Sequence, residues 1–164
     1  MRRTALIDPT GRYRYVLTRR WASGGGIACF VMLNPSTADA ARDDPTIRRC
    51  IDFARRWGHA SLHVVNLYAF RTEHPAALFR ANEPVGPDND RHLWRVTRRA
   101  DTVICAWGVH GLREDRGAEV AEALQARGIQ AQVLGWTQGG APRHPLFLRT
   151  TVRPKPWIPM RAAQ

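Results

Sequence analysis

Apolar runs alternate with amphipathic stretches along this chain. The runs cover residues 27–33, 62–67, 102–107 and 129–134, and between them residues 45–57, 87–99 and 113–127 carry apolar positions at helical spacing. Continuous apolar runs of this length suit strands covered on both faces, and strands alternating with helices imply parallel βαβ units with right-handed crossovers. The pattern predicts an α/β fold, a three-layer α/β/α sandwich around a central four-stranded parallel sheet. Asp44 can cap the first helix and Pro45 suits its first turn. Ile47, Cys50, Ile51 and Ala54 then form one stripe that Gly58 ends, and Gly128 ends the third helix.

Ahead of this core, residues 4–8 and 12–21 flank the turn Pro9-Thr10-Gly11, which predicts an N-terminal β-hairpin within residues 1–22. At the other end the tail 150–164, with Arg153-Pro154-Lys155-Pro156-Trp157-Ile158-Pro159, is too proline-rich for a helix or a central strand. It should wrap over the surface. With 164 residues, 44% of them hydrophobic, and no break in composition, the chain reads as a single α/β domain, 1–164. No stretch reaches the length of a membrane span and no signal peptide opens the chain, so a cytoplasmic location, no membrane partner and a monomer are expected.

Charge points to a partner. The 25 basic residues exceed the 14 acidic ones by 11, and only Lys155 is a lysine. Arginine forks onto phosphate oxygens, so nucleic acid, DNA foremost, is the natural partner. Codon bias in a high-GC genome accounts for arginine in place of lysine, but not for the excess over acid. Cys29, Cys50 and Cys105 sit in apolar or amphipathic segments without metal-binding spacing and read as buried thiols. No metal and no cofactor is expected. Asp39, Asp43 and Asp44 make a poor metal cluster, because Asp44 is needed as a cap and no histidine or further acid follows at ligand spacing.

The candidate chemistry lies where the runs end. The first run stops at Asn34-Pro35-Ser36, because proline cannot continue a sheet ladder. Asn34 is either a turn-former or a residue at the rim of a ligand crevice, since open α/β sheets bind ligands at the carboxyl ends of their strands. Asn66 lies among apolar neighbours in VVNLYAF and is either a satisfied structural amide or the reader of a planar ligand's edge. Tyr68 and Phe70 follow at strand spacing, as core residues or as stacking platforms. Trp107-Gly108 ends the third run, and the fourth leads into a Gly- and Pro-shaped loop containing Arg143, His144 and Pro145. A neutral His144 could donate a hydrogen bond to developing negative charge, with the role of an exposed bystander as its alternative.

The segments Leu33–Asp39, Asp44–Arg48, Val65–Arg71, Val85–Asp90 and Pro142–Leu146 together resemble the family of domains of unknown function numbered 1643, over nearly the whole chain. More distantly, the arrangement is similar to the uracil-DNA glycosylase superfamily, of the mismatch-specific and thymine-DNA type. That resemblance implies a uracil-DNA-glycosylase-like sheet, and a catalytic Asn34 that positions water. It also implies an Asn66 that reads the base, and a catalytic His144 that stabilises the departing base anion. Pro35, Ser36, Tyr68, Phe70, Trp107, Arg71 and Arg143 would contribute to substrate binding. The chain departs from that superfamily in having Leu33 where a glycine is usual and Leu146-Phe147 where Ser-Pro is usual, which bears on the choice of base. The cysteines that hold a cluster in some members are missing, so a metal-free type is implied. The expected function is a DNA glycosylase-like hydrolase of a damaged or mismatched base. The alternatives are a nucleic-acid- or nucleotide-binding module of the same fold without the reaction, and an enzyme acting on a free nucleotide or other small molecule.

Overall fold

The computed structural model describes residues 1–158. Strands β1 (Arg2–Ile7) and β2 (Arg14–Arg20) form the opening hairpin. They are followed by β3 (Ile27–Met32), helix α1 (Pro45–Arg56), β4 (Ser61–Asn66), and helices α2 (Pro75–Arg80) and α3 (Asn89–Arg99). Strand β5 (Thr102–Cys105), helix α4 (Arg116–Ala126), β6 (Ala131–Val133) and β7 (Lys155–Pro156) complete the order.

All seven strands share one mixed sheet, in the order β1-β2-β4-β3-β5-β6-β7. The parallel pairs β4–β3, β3–β5 and β5–β6 lie at its centre, and the antiparallel pairs β1–β2, β2–β4 and β6–β7 extend it on both sides. The expected four-stranded sheet is thus corrected to a seven-stranded one. The hairpin is no appendage, because β2 adds its free edge to β4. The tail does not simply wrap: Lys155 and Pro156 make a short edge strand, the one place in a sheet where proline is tolerated. The last residues of the predicted tail, 159–164, lie outside the described residues.

Strand alternation separates two cores. Cys29 and Val31 of β3 face α3 and α4 through Leu93, Val96, Val120 and Leu124. Ala28, Phe30 and Met32 face α1 through Ile47, Cys50, Phe53 and Ala54. Helix α1 begins as its sequence dictates, with Asp44 Oδ1 accepting from the Ile47 amide at 2.8 Å and Pro45 in the first turn. Helix α2, only six residues long, is absent from the apolar pattern. Burial raises all three cysteine thiols, Cys29 to about 12, so they remain protonated packing groups.

A β-bulge interrupts the hairpin. Ile7 pairs with Arg14 and Leu6 with Val16, which leaves Tyr15 without a partner. Tyr15 and Val16 therefore both join the α3-side core, and the alternation beyond them is inverted. Arg14 is thereby turned onto the α1 side of the sheet.

Candidate functional site

A cavity of about 390 Å³ opens at the carboxyl ends of β3, β4 and β5, beside the N-terminus of α1. Asn34, Ser36, Asn66, Trp107 and His144, five of the residues expected at a site, line it together. Arg14, Asp44, Glu73 and Phe147 also line it, and the sequence pattern singles out none of these as a binding residue.

Asn66, the last residue of β4, is 1% exposed, and neither its Nδ2 nor its Oδ1 has a hydrogen-bond partner among the described residues. A buried amide left this way costs stability that a ligand would return. Its backbone is fixed from behind, since Asn89 Nδ2 donates to the carbonyls of Asn66 at 3.0 Å and Leu67 at 3.1 Å.

Asn34 is oriented by its surroundings. Its Nδ2 faces the carbonyl oxygens of Thr72 at 2.8 Å, Pro35 at 2.9 Å and Phe70 at 3.3 Å. Three acceptors on one side fix the amide's orientation and tie the first loop to the chain after β4. Its Oδ1 makes no hydrogen bond among the described residues and is left to accept one.

His144 sits at the other wall. Its Nδ1 accepts from the Leu146 amide at 3.2 Å, which puts the ring proton on Nε2. Burial lowers its pKa, against a weaker opposing pull from Asp44, so the ring is neutral at pH 7. Its loop is rigid: Thr137 and Ala141 exchange hydrogen bonds, Trp136 bridges to Pro142, and the Gly108 amide donates to the Pro142 carbonyl at 2.9 Å. Gly108 is at φ 77°, where a Cβ would come within 3.4 Å of His144 Cβ. Trp107 is held edge-on by Gly111 and Gly117, where an added Cβ would meet the indole ring.

Arg14 is 2% exposed. Its Nη1 donates to the Ala38 carbonyl at 2.7 Å, while Nε is buried without a partner among the described residues. Burial lowers its pKa to about 10, with Asp44 pulling the other way, so it is charged at neutral pH.

The remaining expected residues lie elsewhere. Tyr68 is in the α3-side core against Phe79, its hydroxyl 3.3 Å from Glu114 Oε2. Phe70 packs edge-on against Tyr13. Strand β4 ends at Asn66, so period-two spacing no longer places residues 68 and 70 on its face, and neither lines this cavity. Pro35 is buried behind the loop. Arg71 lines a second, adjoining cavity with Arg42, Asp39 and Asp43, and Arg143 is exposed, its Nε donating to the Trp136 carbonyl. The three aspartates each have structural work: Asp39 accepts from the Ala41 and Arg42 amides, Asp43 pairs with Arg19, and Asp44 caps α1.

Among the described residues no helix is long and apolar enough to cross a membrane. No curated protein and no solved structure matches the chain. The model of the family described as "Protein of unknown function (DUF1643)" matches residues 14–146, and the chain belongs to that family.

Proposed function

We propose that this protein accepts a base flipped out of a nucleic acid into the cavity at the strand ends and hydrolyses its N-glycosidic bond. The observation that carries the reading is Asn66: a donor and an acceptor, both buried and both unpaired among the described residues, in the wall of a base-sized cavity. A planar heterocycle with an amide edge satisfies both atoms at once. Asn34 Oδ1 accepts a hydrogen bond from the attacking water. The water oxygen bonds to the anomeric carbon as the carbon–nitrogen bond breaks. The electron pair leaves with the base, which accepts a hydrogen bond from His144 Nε2 and takes up the proton the water gives off, leaving an abasic sugar. Phe147, 88% exposed at the cavity mouth, suits an apolar wedge that fills the gap left in the stack. The resemblance to the uracil-DNA glycosylase superfamily supports the same assignment of Asn34, Asn66 and His144.

The test is incubation with oligonucleotides bearing uracil, hypoxanthine, alkylated bases or mismatches, followed by alkaline cleavage of abasic sites. Strand breaks at one lesion class are expected, slowed by His144→Ala. No break on any lesion at high protein concentration overturns the hydrolytic role.

A second reading, a nucleotide- or nucleic-acid-binding module without the reaction, is favoured by the engagement of Asn34 Nδ2 with three carbonyls, which suffices to explain that residue as a loop brace. Salt-sensitive binding of plain DNA without cleavage identifies this case.

A further inference from the structure

We infer that Arg14 reads the ligand, and that with Asn66 it selects a 6-oxopurine edge; this rests on the cavity being a base-handling site. Arg14 and Asn66 hold three of the buried side-chain atoms that lack a partner among the described residues, Arg14 Nε and both amide atoms of Asn66, and both residues line one cavity. The fold is able to satisfy a buried guanidinium. Arg19, on the same strand, is fully buried and donates to Asp43 Oδ1 and to the carbonyls of Thr18, Asp39 and Arg42. Arg14 has only the Ala38 carbonyl, on Nη1, and it pairs with no carboxylate among the described residues. Its Nε–Nη2 edge is open. The bulge at Tyr15 aims this side chain at the cavity, where regular pairing would have sent it to the opposite core.

An open guanidinium edge presents two parallel N–H groups and asks for two acceptors side by side. A carboxylate, a phosphate and the O6/N7 edge of a 6-oxopurine each supply them. Asn66 separates these candidates, because its Oδ1 needs a donor, which a carboxylate and a phosphodiester lack at neutral pH, and a free phosphate, which keeps a hydroxyl, is therefore included as a competing ligand. A 6-oxopurine gives O6 and N7 to Arg14, N1–H to Asn66 Oδ1, and the second lone pair of O6 to Asn66 Nδ2. Uracil matches Asn66 but has no second ring acceptor adjacent to O4 for the guanidinium edge. Adenine turns its amino group toward a cation.

The experiment changes the ligand and keeps the wild-type protein. Calorimetric titration compares hypoxanthine with 7-deazahypoxanthine, adenine, uracil and inorganic phosphate. Hypoxanthine should bind about tenfold or more tightly than the deaza analogue and adenine. Arg14→Lys, which keeps the charge and loses the fork, should abolish the gap between hypoxanthine and its deaza analogue. Equal binding of those two ligands overturns the inference, as does preference for uracil, no detectable binding of hypoxanthine, or phosphate as the tightest ligand. If the N7 penalty is found but no lesion is cleaved, the inference stands and the hydrolytic reading falls. If uracil is cleaved and purines do not bind, the reverse holds.

Discussion

Replacing Asn66 with leucine, an apolar side chain of nearly the same shape, should make the protein more stable and leave it unable to recognise its ligand. Both amide atoms are buried without a partner among the described residues, and each such group costs about 1–3 kcal/mol. Water entering the adjoining cavity returns part of that cost, so the net gain from Asn66→Leu is about 2 kcal/mol, or about 4–8 °C in Tm for a chain of this size. Asn89→Leu is the control. Asn89 is equally buried, but its Nδ2 serves two carbonyls; Arg116 Nε still reaches that of Leu67, so the substitution strands the Asn66 carbonyl and loses two hydrogen bonds, which outweighs relief of its own unpaired Oδ1 and should destabilise the protein by about 1 kcal/mol. One substitution type, made at two buried asparagines, should therefore give opposite signs. Thermal unfolding followed by circular dichroism measures both. An Asn66→Leu protein that melts several degrees below wild type would show that the amide has partners in solution, and the case for a ligand at that residue would collapse. Stability held back at a binding residue is the expected signature of a functional site.

Three other outcomes rest on the same geometry. Asn34→Asp should be more destabilising than Asn34→Ala, because it sets a carboxylate against three carbonyl oxygens where alanine only removes a donor; chemical denaturation of the pair decides it, and equal midpoints refute the assigned amide orientation. Acidification from pH 7 to 5 should lower Tm. His59, His63, His92 and His144 all have pKa values lowered by burial, so the unfolded chain takes up protons first as pH falls below about 6.5, whereas the stability from lowered Asp8 and Asp39 is lost only below their ordinary value near 3.8. A Tm that rises over that interval contradicts this. Gly111→Ala should cost about 1–3 kcal/mol and alter the near-ultraviolet circular dichroism, since its methyl group meets the Trp107 ring; an unchanged spectrum would mean that Trp107 is not held there.

What the sequence could reveal is set by the range of each interaction. The parallel strands β3, β4 and β5 are legible because each is buried on both faces, and α1 because its cap, its proline and its apolar stripe are all local. Asn66 is legible as an amide among apolar neighbours, and His144 as part of a shaped loop. Helix α2 is not, being six residues long with one buried position, too short for a period to emerge. Tyr68 and Phe70 share a face with Asn66 only if the strand is extended past its end. Arg14 is hidden by the bulge: it lies at odd separation from Arg19, so regular alternation puts the two on opposite faces, and only the unpaired Tyr15 returns Arg14 to the cavity side.

The net charge of +11 localises no site, whereas three of the five buried side-chain polar atoms without a partner among the described residues belong to Arg14 and Asn66, at one cavity. Arg48, Arg55 and Arg56 on α1 and Arg91, Arg95, Arg98 and Arg99 on α3 belong to helices that cover opposite faces of the sheet. The surplus therefore spreads over both sides of the molecule and does not point to the cavity, whose wall includes Asp44 and Glu73 as well as Arg14. Inside the protein the distinction is sharper. Arg19, Thr97 and the Asn34 amide nitrogen are matched to acceptors and hold the scaffold together. Arg14 and Asn66 are matched only in part or not at all, and both lie on the one cavity where the strand ends, the α1 N-terminus and the His144 loop converge. The fold satisfies the buried guanidinium of Arg19 and leaves Nε of Arg14, on the same strand, without a partner among the described residues, and this contrast is what the inference of a ligand at Arg14 stands on.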